Sequence, residues 1–232
     1  MRRIAALVIA LLVGGAAPSQ AVLVTDATGF VSPLVADFSQ FVGMGYNFTF
    51  GPVEVGVPVV AFSVTFTATP AGGGNSGSGS VLGSGTYGLL GNGSWNTGPG
   101  GNAYSGLDAD TGYMQYTFNT SPVAAVGGFV NYIPNEGFTS PVIEILALDL
   151  VTVLESYDLS VFAPISTPGG LNEGAFRGIL RPTADIGALR VSNAYIVLDD
   201  LTFSTTPIPE PGTLMLLGAG LAGMRFLRRR RG

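Results

Sequence analysis

Apolar residues in the long middle part of the chain recur at every second position, and this spacing constrains the fold more than any other feature. In VAFSVTFTA (60–68), apolar residues at even positions alternate with Ala, Ser and Thr at odd positions. In YMQYTFN (113–119), Met114, Tyr116 and Phe118 point opposite to their polar or aromatic neighbours. A period of two is typical of a strand with one buried face. The sequence therefore predicts an antiparallel sheet with a one-sided core.

Further strands are predicted along the rest of this region. They cover residues 46–50 and 124–132 and begin again at Val142, Gly174 and Ala194. Glycines and prolines separate them at short intervals, as in antiparallel sandwiches, and no long amphipathic helix is visible between the two ends. We expect one all-β domain, an antiparallel β-sandwich, over residues 22–206. The Gly- and Ser-rich stretch at 70–80 has nothing to bury and predicts a flexible loop inside that domain.

The second half of this domain carries a resemblance at the level of its pattern. The segments AVGGFVNY, IEILALDL, VLESYDLS, GAFRGI and YIVLDDLTFS follow one another in an order that resembles the jelly-roll β-sandwich domains of secreted bacterial proteins and carbohydrate-binding modules. The resemblance implies a jelly-roll-like fold. It implies no particular function, because sandwiches host many activities.

The N-terminus has the pattern of an export signal. Arg2 and Arg3 precede the apolar run Ile4–Val13, and Ser19-Gln20-Ala21 supplies small residues before a cleavage point. This predicts a signal helix over residues 1–21 that signal peptidase removes after Ala21. The alternative is an uncleaved anchor, for which the apolar run is short against the ~20 residues that span a bilayer.

The C-terminus has the pattern of a membrane helix. Glu210 and Pro211 suit a helix start, and Gly212–Met224 contains no charge. The arginines Arg228, Arg229, Arg230 and Arg231 follow. We expect a single transmembrane helix over about 211–231, with this basic cluster stopping transfer and holding that end on the cytoplasmic side of the inner membrane.

The charge distribution places the domain outside the inner membrane. Residues 22–206 contain 3 arginines and 14 acidic residues, so their net charge is 3 − 14 = −11, and every other arginine belongs to the two ends. Both ends are directed to the membrane with arginines on their cytoplasmic flanks, so the domain between them is expected in the periplasm. The acidic domain is not expected to bind nucleic acid.

The last segment also carries a family resemblance. Pro209-Glu210-Pro211, a short Gly- and Leu-rich helix and a terminal arginine cluster together resemble the PEP-CTERM sorting signal, over residues 207–232. The resemblance implies recognition by an exosortase, a membrane-embedded processing enzyme, and removal of the tail. It also implies display at the cell surface or release, and association with exopolysaccharide and biofilm matrix. A permanent anchor without processing is the alternative.

The residue inventory restricts catalysis. The chain has no Cys, His or Lys, which excludes Ser-His-Asp and Cys-His nucleophiles, the usual zinc sites and Schiff-base chemistry. Paired carboxylates, as in glycoside hydrolysis, remain. The candidates near strands are Glu144, Asp149, Glu155, Asp158, Asp199 and Asp200. Such a scatter is typical of any polar strand surface, so we expect no enzyme and no catalytic residues, with a secreted glycan-active hydrolase as the less favoured alternative.

Calcium is the one cofactor that the sequence leaves open, because oxygen ligands suit an acidic exported domain. Asp108 and Asp110 begin a D-x-D-x-G pattern, for which a local Asx turn is the alternative. Asp199 and Asp200 are adjacent on a predicted strand, so one carboxylate must lie near the core. It is expected either to help hold an ion or to accept hydrogen bonds from the backbone or from an arginine, for which Arg177, Arg181 and Arg190 are candidates.

A sugar-binding surface is the remaining candidate site. Trp95 lies in the glycine-rich stretch GNGSWNTGPGG, with Tyr87 and Tyr104 near it in sequence. Aromatic rings suit flat sugar faces, and Asn92, Asn96 and Asn102 could supply hydrogen bonds to a polysaccharide. The alternative is that Trp95 folds back and caps the sandwich.

Overall fold

The computed structural model describes residues 21–57, 62–69, 79–134 and 137–208. Residues Ala21–Ile208 form one compact unit. The predicted signal helix, the predicted sorting helix and residues 70–78 of the predicted loop lie outside the described residues. Gly79 and Ser80 are described, and Ser80 is a buried residue in a strand, so the predicted loop boundary at residue 80 is wrong. No helix in the described part is long and apolar enough to cross a membrane.

Strands dominate the compact unit, with one short helix and 3₁₀ turns at Ser39–Phe41 and Leu90–Asn92. The elements are β1 (Val22–Val24), β2 (Leu34–Ala36), β3 (Tyr46–Thr49), β4 (Val53–Val55), β5 (Val64–Ala68), β6 (Ser80–Gly83), β7 (Tyr87–Gly88), β8 (Ser94–Trp95), β9 (Tyr104–Leu107), β10 (Tyr113–Phe118), β11 (Ala125–Asn131), β12 (Val142–Leu146), β13 (Val153–Asp158), α1 (Leu159–Phe162), β14 (Ala175–Leu180), β15 (Ala188–Ser192) and β16 (Val197–Ser204). Each strand predicted from the sequence is present.

The strands form two large antiparallel sheets. The first has eight strands in the order β1-β14-β11-β16-β9-β6-β3, with β2 also paired to β16. The second has six strands in the order β13-β12-β15-β10-β5-β4, and β7 pairs with β8 in a small ribbon. The prediction of an all-β antiparallel fold is confirmed, and the arrangement is that of a β-sandwich.

The main core lies between the two sheets and follows the period of two. On β10, Met114, Tyr116 and Phe118 are buried, as the alternation predicts. Phe118 meets Phe203 of β16 in the first sheet, with ring centroids 5.1 Å apart. The Tyr116 hydroxyl and the Ser105 hydroxyl of β9 also form a hydrogen bond across the sandwich. Burial of these large side chains is the main source of stability in a chain without disulfides.

Arg177 of β14 is a buried exception to the apolar pattern. Its guanidinium donates to the backbone carbonyls of Ala163 (2.9 Å), Phe176 (2.7 Å) and Pro164 (3.1 Å). Burial lowers the pKa of Arg177. These bonds fasten the segment after α1 to the first sheet, where neutral carbonyl dipoles balance the buried charge.

Candidate functional site

Strand β16 changes its neighbour part-way along one edge. Leu198 is opposite Ser105 of β9, whereas Leu201 is opposite Ala36 of β2. Asp199 and Asp200 lie between these two pairings. The side of β16 that faces β9 and β2 is therefore interrupted at the two aspartates.

A β-bulge on the other side of β16 coincides with this gap. On β11, Gly127 pairs with Thr202 but Phe129 pairs with Asp199, so β16 contains one extra residue in the interval. Asp200 takes up the difference with a positive φ of 48°, which is a conformation that aspartate tolerates better than most residues. Strict alternation therefore ends at this point, and the sequence did not predict the bulge.

Asp199 is completely buried, and its carboxylate is held by backbone N–H groups. Gly100 donates to Oδ2 at 2.8 Å and Asp200 donates to Oδ1 at 2.7 Å. Burial, followed by the nearby charge of Asp200, raises the pKa of Asp199 to about 8. Burial and the charge of Asp37, which directly follows β2, raise the pKa of Asp200 as well. Asp37, Asp199 and Asp200 form what we call the aspartate cluster.

The glycine-rich loop 96–102 covers the aspartate cluster. A Cβ at Gly98 would lie 2.4 Å from Oδ2 of Asp199, and one at Gly100 would lie 2.5 Å from Oδ1 of Asp200. Only glycine permits the backbone to approach both carboxylates this closely. The start of the loop is held separately, since Oδ1 of Asn172 accepts the N–H groups of Asn96 (2.8 Å), Thr97 (3.1 Å) and Gly98 (3.2 Å).

The structure decides between the two kinds of hydrogen-bond donor expected at Asp199. Backbone donors are confirmed, and the proposed arginine partners are wrong. Arg181 instead forms a two-point ion pair with Asp185 at 2.6 and 2.8 Å, while Arg190 pairs with Glu144 at 3.0 Å. These two guanidinium groups therefore pair with other carboxylates, and the guanidinium of Arg177 donates to backbone carbonyls.

Calcium binding would need several oxygen ligands close together. In the part of the chain that the structure describes, no group of three or more His, Cys, Asp and Glu side chains could hold a metal ion. Asp110 accepts hydrogen bonds from the N–H and hydroxyl of Thr139 at 2.7 and 3.2 Å. The N–H of Gly112 donates to Asn193 at 3.3 Å, so Asp110 does not form the Asx turn that was predicted before the strand at Tyr113. Asp108 lies near Tyr87, whose pKa is raised first by burial and then by the charge of this aspartate.

The predicted sugar platform is wrong, because its three aromatic side chains are buried. Trp95 and Tyr104 have no exposed surface, and Tyr87 is almost as deeply buried. Together with Val81, Leu89, Ile133 and Val197 they form a second apolar core outside the main one. A ring that is enclosed on all sides cannot stack on a sugar. The capping alternative for Trp95 is the one that the structure supports.

Hydrogen bonds fix the orientation of each of these rings. Nε1 of Trp95 donates to the Glu173 carbonyl at 2.7 Å, and the Tyr87 hydroxyl donates to the Leu107 carbonyl at 2.8 Å. The Tyr104 hydroxyl donates to the carbonyl of Gly85, and its ring meets Trp95 edge to face with centroids 6.0 Å apart. Val81 and Val197 of the cluster alternate along their strands with Leu82 and Leu198 of the main core, so the cluster covers the opposite face of the first sheet. Its polar tips are hydrogen-bonded inside the protein.

The asparagines considered for sugar recognition are also used inside the protein. Nδ2 of Asn92 donates to Asn131 at 2.6 Å and to the Tyr132 carbonyl at 2.9 Å. Oδ1 of Asn96 accepts from Asn172 at 2.8 Å, and Nδ2 of Asn102 donates to Asp37 at 3.3 Å. These bonds tie loops to strands.

The remaining acidic residues near strands have structural contacts. Glu144 pairs with Arg190 (3.0 Å), Asp149 accepts the N–H of Thr152 (2.8 Å), Glu155 lies 3.7 Å from Arg181, and Asp158 accepts the N–H of Ser160 (2.9 Å) at the start of α1. Each carboxylate is thus assigned to an ion pair, a turn or a helix cap.

Both ends of the compact unit lie on the first sheet. Val22 opens β1 opposite Leu180 of β14, and Ala21, the predicted cleavage residue, is buried just before it. At the other end, β16 stops at Ser204, and Thr206 forms an isolated bridge with Val31. The chain leaves the domain within a few residues of its last strand.

The compact unit is an antiparallel β-sandwich, and a short C-terminal segment of the sequence follows its last strand directly. That segment is recognisable, because the PEP-CTERM protein-sorting motif matches residues 207–231. The match contains Pro209, Glu210 and Pro211 and the cluster Arg228–Arg231, all of which lie outside the described residues. The motif indicates an exported protein that is processed by exosortase, a membrane enzyme. The chain has no match among curated proteins or among solved structures.

Proposed function

We propose that this chain is a non-enzymatic protein of the cell surface or extracellular matrix, and that its C-terminal motif delivers a β-sandwich to that place. In this proposal the signal peptidase removes residues 1–21 and the tail anchors the chain in the inner membrane with the sandwich in the periplasm. Exosortase processing then transfers the sandwich to the surface or the exopolysaccharide matrix.

One observation carries the proposal, namely the position of the motif relative to the domain. The match begins at residue 207, and the compact unit ends at Ile208. The last strand ends at Ser204 and the last bridge is at Thr206. Cleavage near Glu210 would remove most of the motif, including the Arg228–Arg231 cluster, and would leave every described strand of the sandwich in place, as a processing signal requires.

The contacts of the acidic residues support a non-enzymatic role. A retaining or inverting glycosidase needs two carboxyl groups free to act on one glycosidic bond. Here Glu144 and Glu155 lie beside arginines, Asp149 and Asp158 hold turns or caps, and Asp199 is buried under the loop. Recruiting any of them for catalysis would require breaking these contacts.

The connections between strands support the finer prediction of a jelly-roll-like sandwich. From β9 to β12 and again from β13 to β16, successive strands alternate between the two large sheets. Such alternation is typical of jelly rolls. Such a fold suits a stable module that displays loops. The fold alone does not specify a partner, which depends on the side chains at the surface of the module.

The proposal is tested by the intact mass of the protein recovered from membrane, surface and medium fractions of its native host. We expect a surface or medium species that begins at Val22 and ends near Glu210. Recovery of a species that still carries Arg228–Arg231, found in the inner membrane alone, would show a permanent anchor and overturn the matrix proposal.

A matched pair of variants separates sorting from folding. Replacing Pro209, Glu210 and Pro211 together by alanine should leave the protein in the membrane fraction with its tail intact. Thr205→Ala, at an exposed position just after β16, should be processed like the unaltered chain. Equal processing of both variants would contradict a role for the motif.

A further inference from the structure

Strand β3 and the residues before it carry an exposed row of large apolar side chains. Val42, Met44, Tyr46, Phe48 and Phe50 occur at every second position, and their exposed fractions run from 39% for Phe50 to 55% for Val42. In β3 the apolar side chains are the exposed ones, whereas the polar residues Asn47 and Thr49 are half-buried. This is the reverse of the usual arrangement in a strand. We call these five side chains the apolar row. A contiguous apolar patch of this kind marks an interaction surface.

Tyr46 is held in place by the neighbouring backbone, and the Phe48 ring stacks on it. The rings of Tyr46 and Phe48 are nearly parallel, at 16°, with centroids 5.9 Å apart. The Tyr46 hydroxyl donates to the Thr86 carbonyl, and a Cβ at Gly85 would lie 3.1 Å from the Tyr46 ring. The aromatic surface is therefore supported before any partner binds, which reduces the entropy lost on binding.

Among the described strands, β3 is also an edge of the eight-stranded sheet. Edge strands offer unpaired N–H and C=O groups to other chains, and proteins usually protect them with charges, prolines or bulges. The other edges of the two large sheets follow this rule. Strand β4 contains Glu54, β13 contains Glu155 and Asp158, and β1 is followed two residues later by Asp26. The short β2, paired only with β16 among the described strands, is followed directly by Asp37.

Among the residues that the structure describes, β3 has no such protection. Residues 38–53 contain no charged residue, and no proline interrupts the strand. In a domain with a net charge of 3 − 14 = −11, most surfaces of two copies repel each other. The β3 edge is a place where two copies can approach without opposed carboxylates, because residues 38–53 carry no charge. A second uncharged strand complements such an edge.

We propose that β3 is an interface between two copies of this chain, which pair antiparallel along this strand and bring their apolar rows together. The combined sheet would then continue from one copy into the other. The proposal concerns the folded domain and does not depend on how the tail is processed.

Symmetry limits the register of such a pair. A two-fold axis perpendicular to the sheet places both apolar rows on the same face only if the numbers of opposed residues sum to an even value. With the axis at Asn47, Tyr46 of one copy lies opposite Phe48 of the other. With the axis at Phe48, Tyr46 lies opposite Phe50. Both registers form aromatic cross-strand pairs, which favour sheet association.

The absence of cysteine from the chain makes site-specific crosslinking a direct test. Asn47→Cys and Phe48→Cys each introduce a single thiol at one of the two possible axes. Directly opposed residues in an antiparallel pair have Cα atoms about 4.5–5.5 Å apart, within the range of a disulfide. Under mild oxidation of the full chain, we expect a disulfide-linked dimer for at least one variant. Val153→Cys, at an exposed position of the protected edge β13, serves as the control and should remain monomeric.

A second substitution shows whether the apolar row causes the pairing. In the Asn47→Cys background, Phe48→Glu should reduce the crosslinked fraction about tenfold or more, because the two-fold axis applies the change twice. Val153→Glu in the same background should leave the crosslinked fraction unchanged. Thermal melting of both variants checks that they are folded.

Several outcomes would overturn the proposal. One is that Asn47→Cys and Phe48→Cys form no more disulfide-linked dimer than Val153→Cys. Another is that the crosslinked fraction of Asn47→Cys stays the same when Phe48→Glu is added and the protein is still folded. Retention of a neutral polysaccharide by a protein that does not crosslink, lost on Phe48→Glu, would assign the apolar row to sugar binding instead and would equally overturn self-pairing.

Discussion

The carboxylate of Asp199 accepts the backbone N–H of Gly100 at 2.8 Å, and this bond fastens the glycine-rich loop to the point where β16 changes neighbour. The acid is completely buried and has no arginine partner among the contacts of the described residues. Its backbone donors compensate only part of the lost hydration. The loop and the bulge therefore depend on the protonation of one side chain.

That dependence predicts how stability changes with pH. Burial and the charge of Asp200 raise the pKa of Asp199 from 3.8 to about 8. Between these values the folded chain holds a proton that the unfolded chain has released, so the free energy of unfolding falls as pH rises, by up to ~1.4 kcal/mol per pH unit. Above about pH 8 the fall from this group ends. The raised pKa of Asp200 acts in the same direction.

Asp199→Asn should remove the larger part of this fall. The amide keeps an oxygen for Gly100 but cannot ionise, so the variant should gain stability relative to the unaltered protein between about pH 5 and pH 8 in urea unfolding. Asp149→Asn is the control. The Thr152 hydroxyl and nearby N–H groups lower the pKa of Asp149. Asp149→Asn should therefore change the free energy of unfolding by the same amount at about pH 5 and at about pH 8. A parallel response of the two variants would refute the assignment.

The close contact between loop and carboxylates predicts a steric effect. Gly100→Ala places a methyl group 2.5 Å from Asp200 and should destabilise the domain by about 1–3 kcal/mol. Gly91→Ala lies in a neighbouring loop with no atom within 4 Å of its Cβ. It should be neutral or stabilise by up to ~1 kcal/mol. Denaturant midpoints of both variants measure the difference, and equal destabilisation would mean that the loop does not rest on the cluster.

Much of the main sandwich could be predicted from the sequence, because a two-residue period has one simple physical cause. The alternation in β5 and β10 reports burial of a single face, and both strands bury the residues that the pattern selects. Short strands such as β1 and β2, with three residues each, contain too few positions to show a period. Ser80 belongs to β6 although it continues a run of Gly and Ser, since its neighbours in the sheet decide its burial.

The local sites were harder to predict, because their partners are distant in sequence. Glycines around Trp95 suggest exposure, yet that indole is enclosed by β9, by a turn before it and by the segment that contains Glu173. The presence of a buried carboxylate at 199 or 200 was predictable from alternation. Its partner Gly100 was not, because nothing local indicates that a loop 99 residues away returns to cover it.

Trp95 should contribute to stability. Trp95→Ala removes a fully buried ring and the donor to the Glu173 carbonyl, and we expect a loss of about 3–5 kcal/mol. Trp95→Phe retains most of the packing but leaves that carbonyl without its indole donor, and it should cost less. Thermal and urea unfolding measure both. Unchanged melting of Trp95→Ala would show that the ring is not part of a core.

Arg190 joins three strands on the outer face of the second sheet. It lies opposite Gln115 on one side and Glu144 on the other. Its guanidinium bonds both residues, at 2.8 and 3.0 Å, and stacks 4.2 Å above the Tyr113 ring. Arg190→Lys keeps the charge but loses the planar fork, so we expect a loss of about 0.5–1.5 kcal/mol.

A double-mutant cycle of Arg190→Met with Glu144→Gln isolates the ion pair from this stacking. Both side chains are mostly buried, with 20% and 15% exposed, so the coupling should exceed that of a fully exposed pair and reach about 1 kcal/mol. Because the pair is shielded, the coupling should also fall little as salt is added. Zero coupling together with a large effect of Arg190→Lys would mean that Gln115 and Tyr113, rather than the charge of Glu144, account for the stabilisation by Arg190.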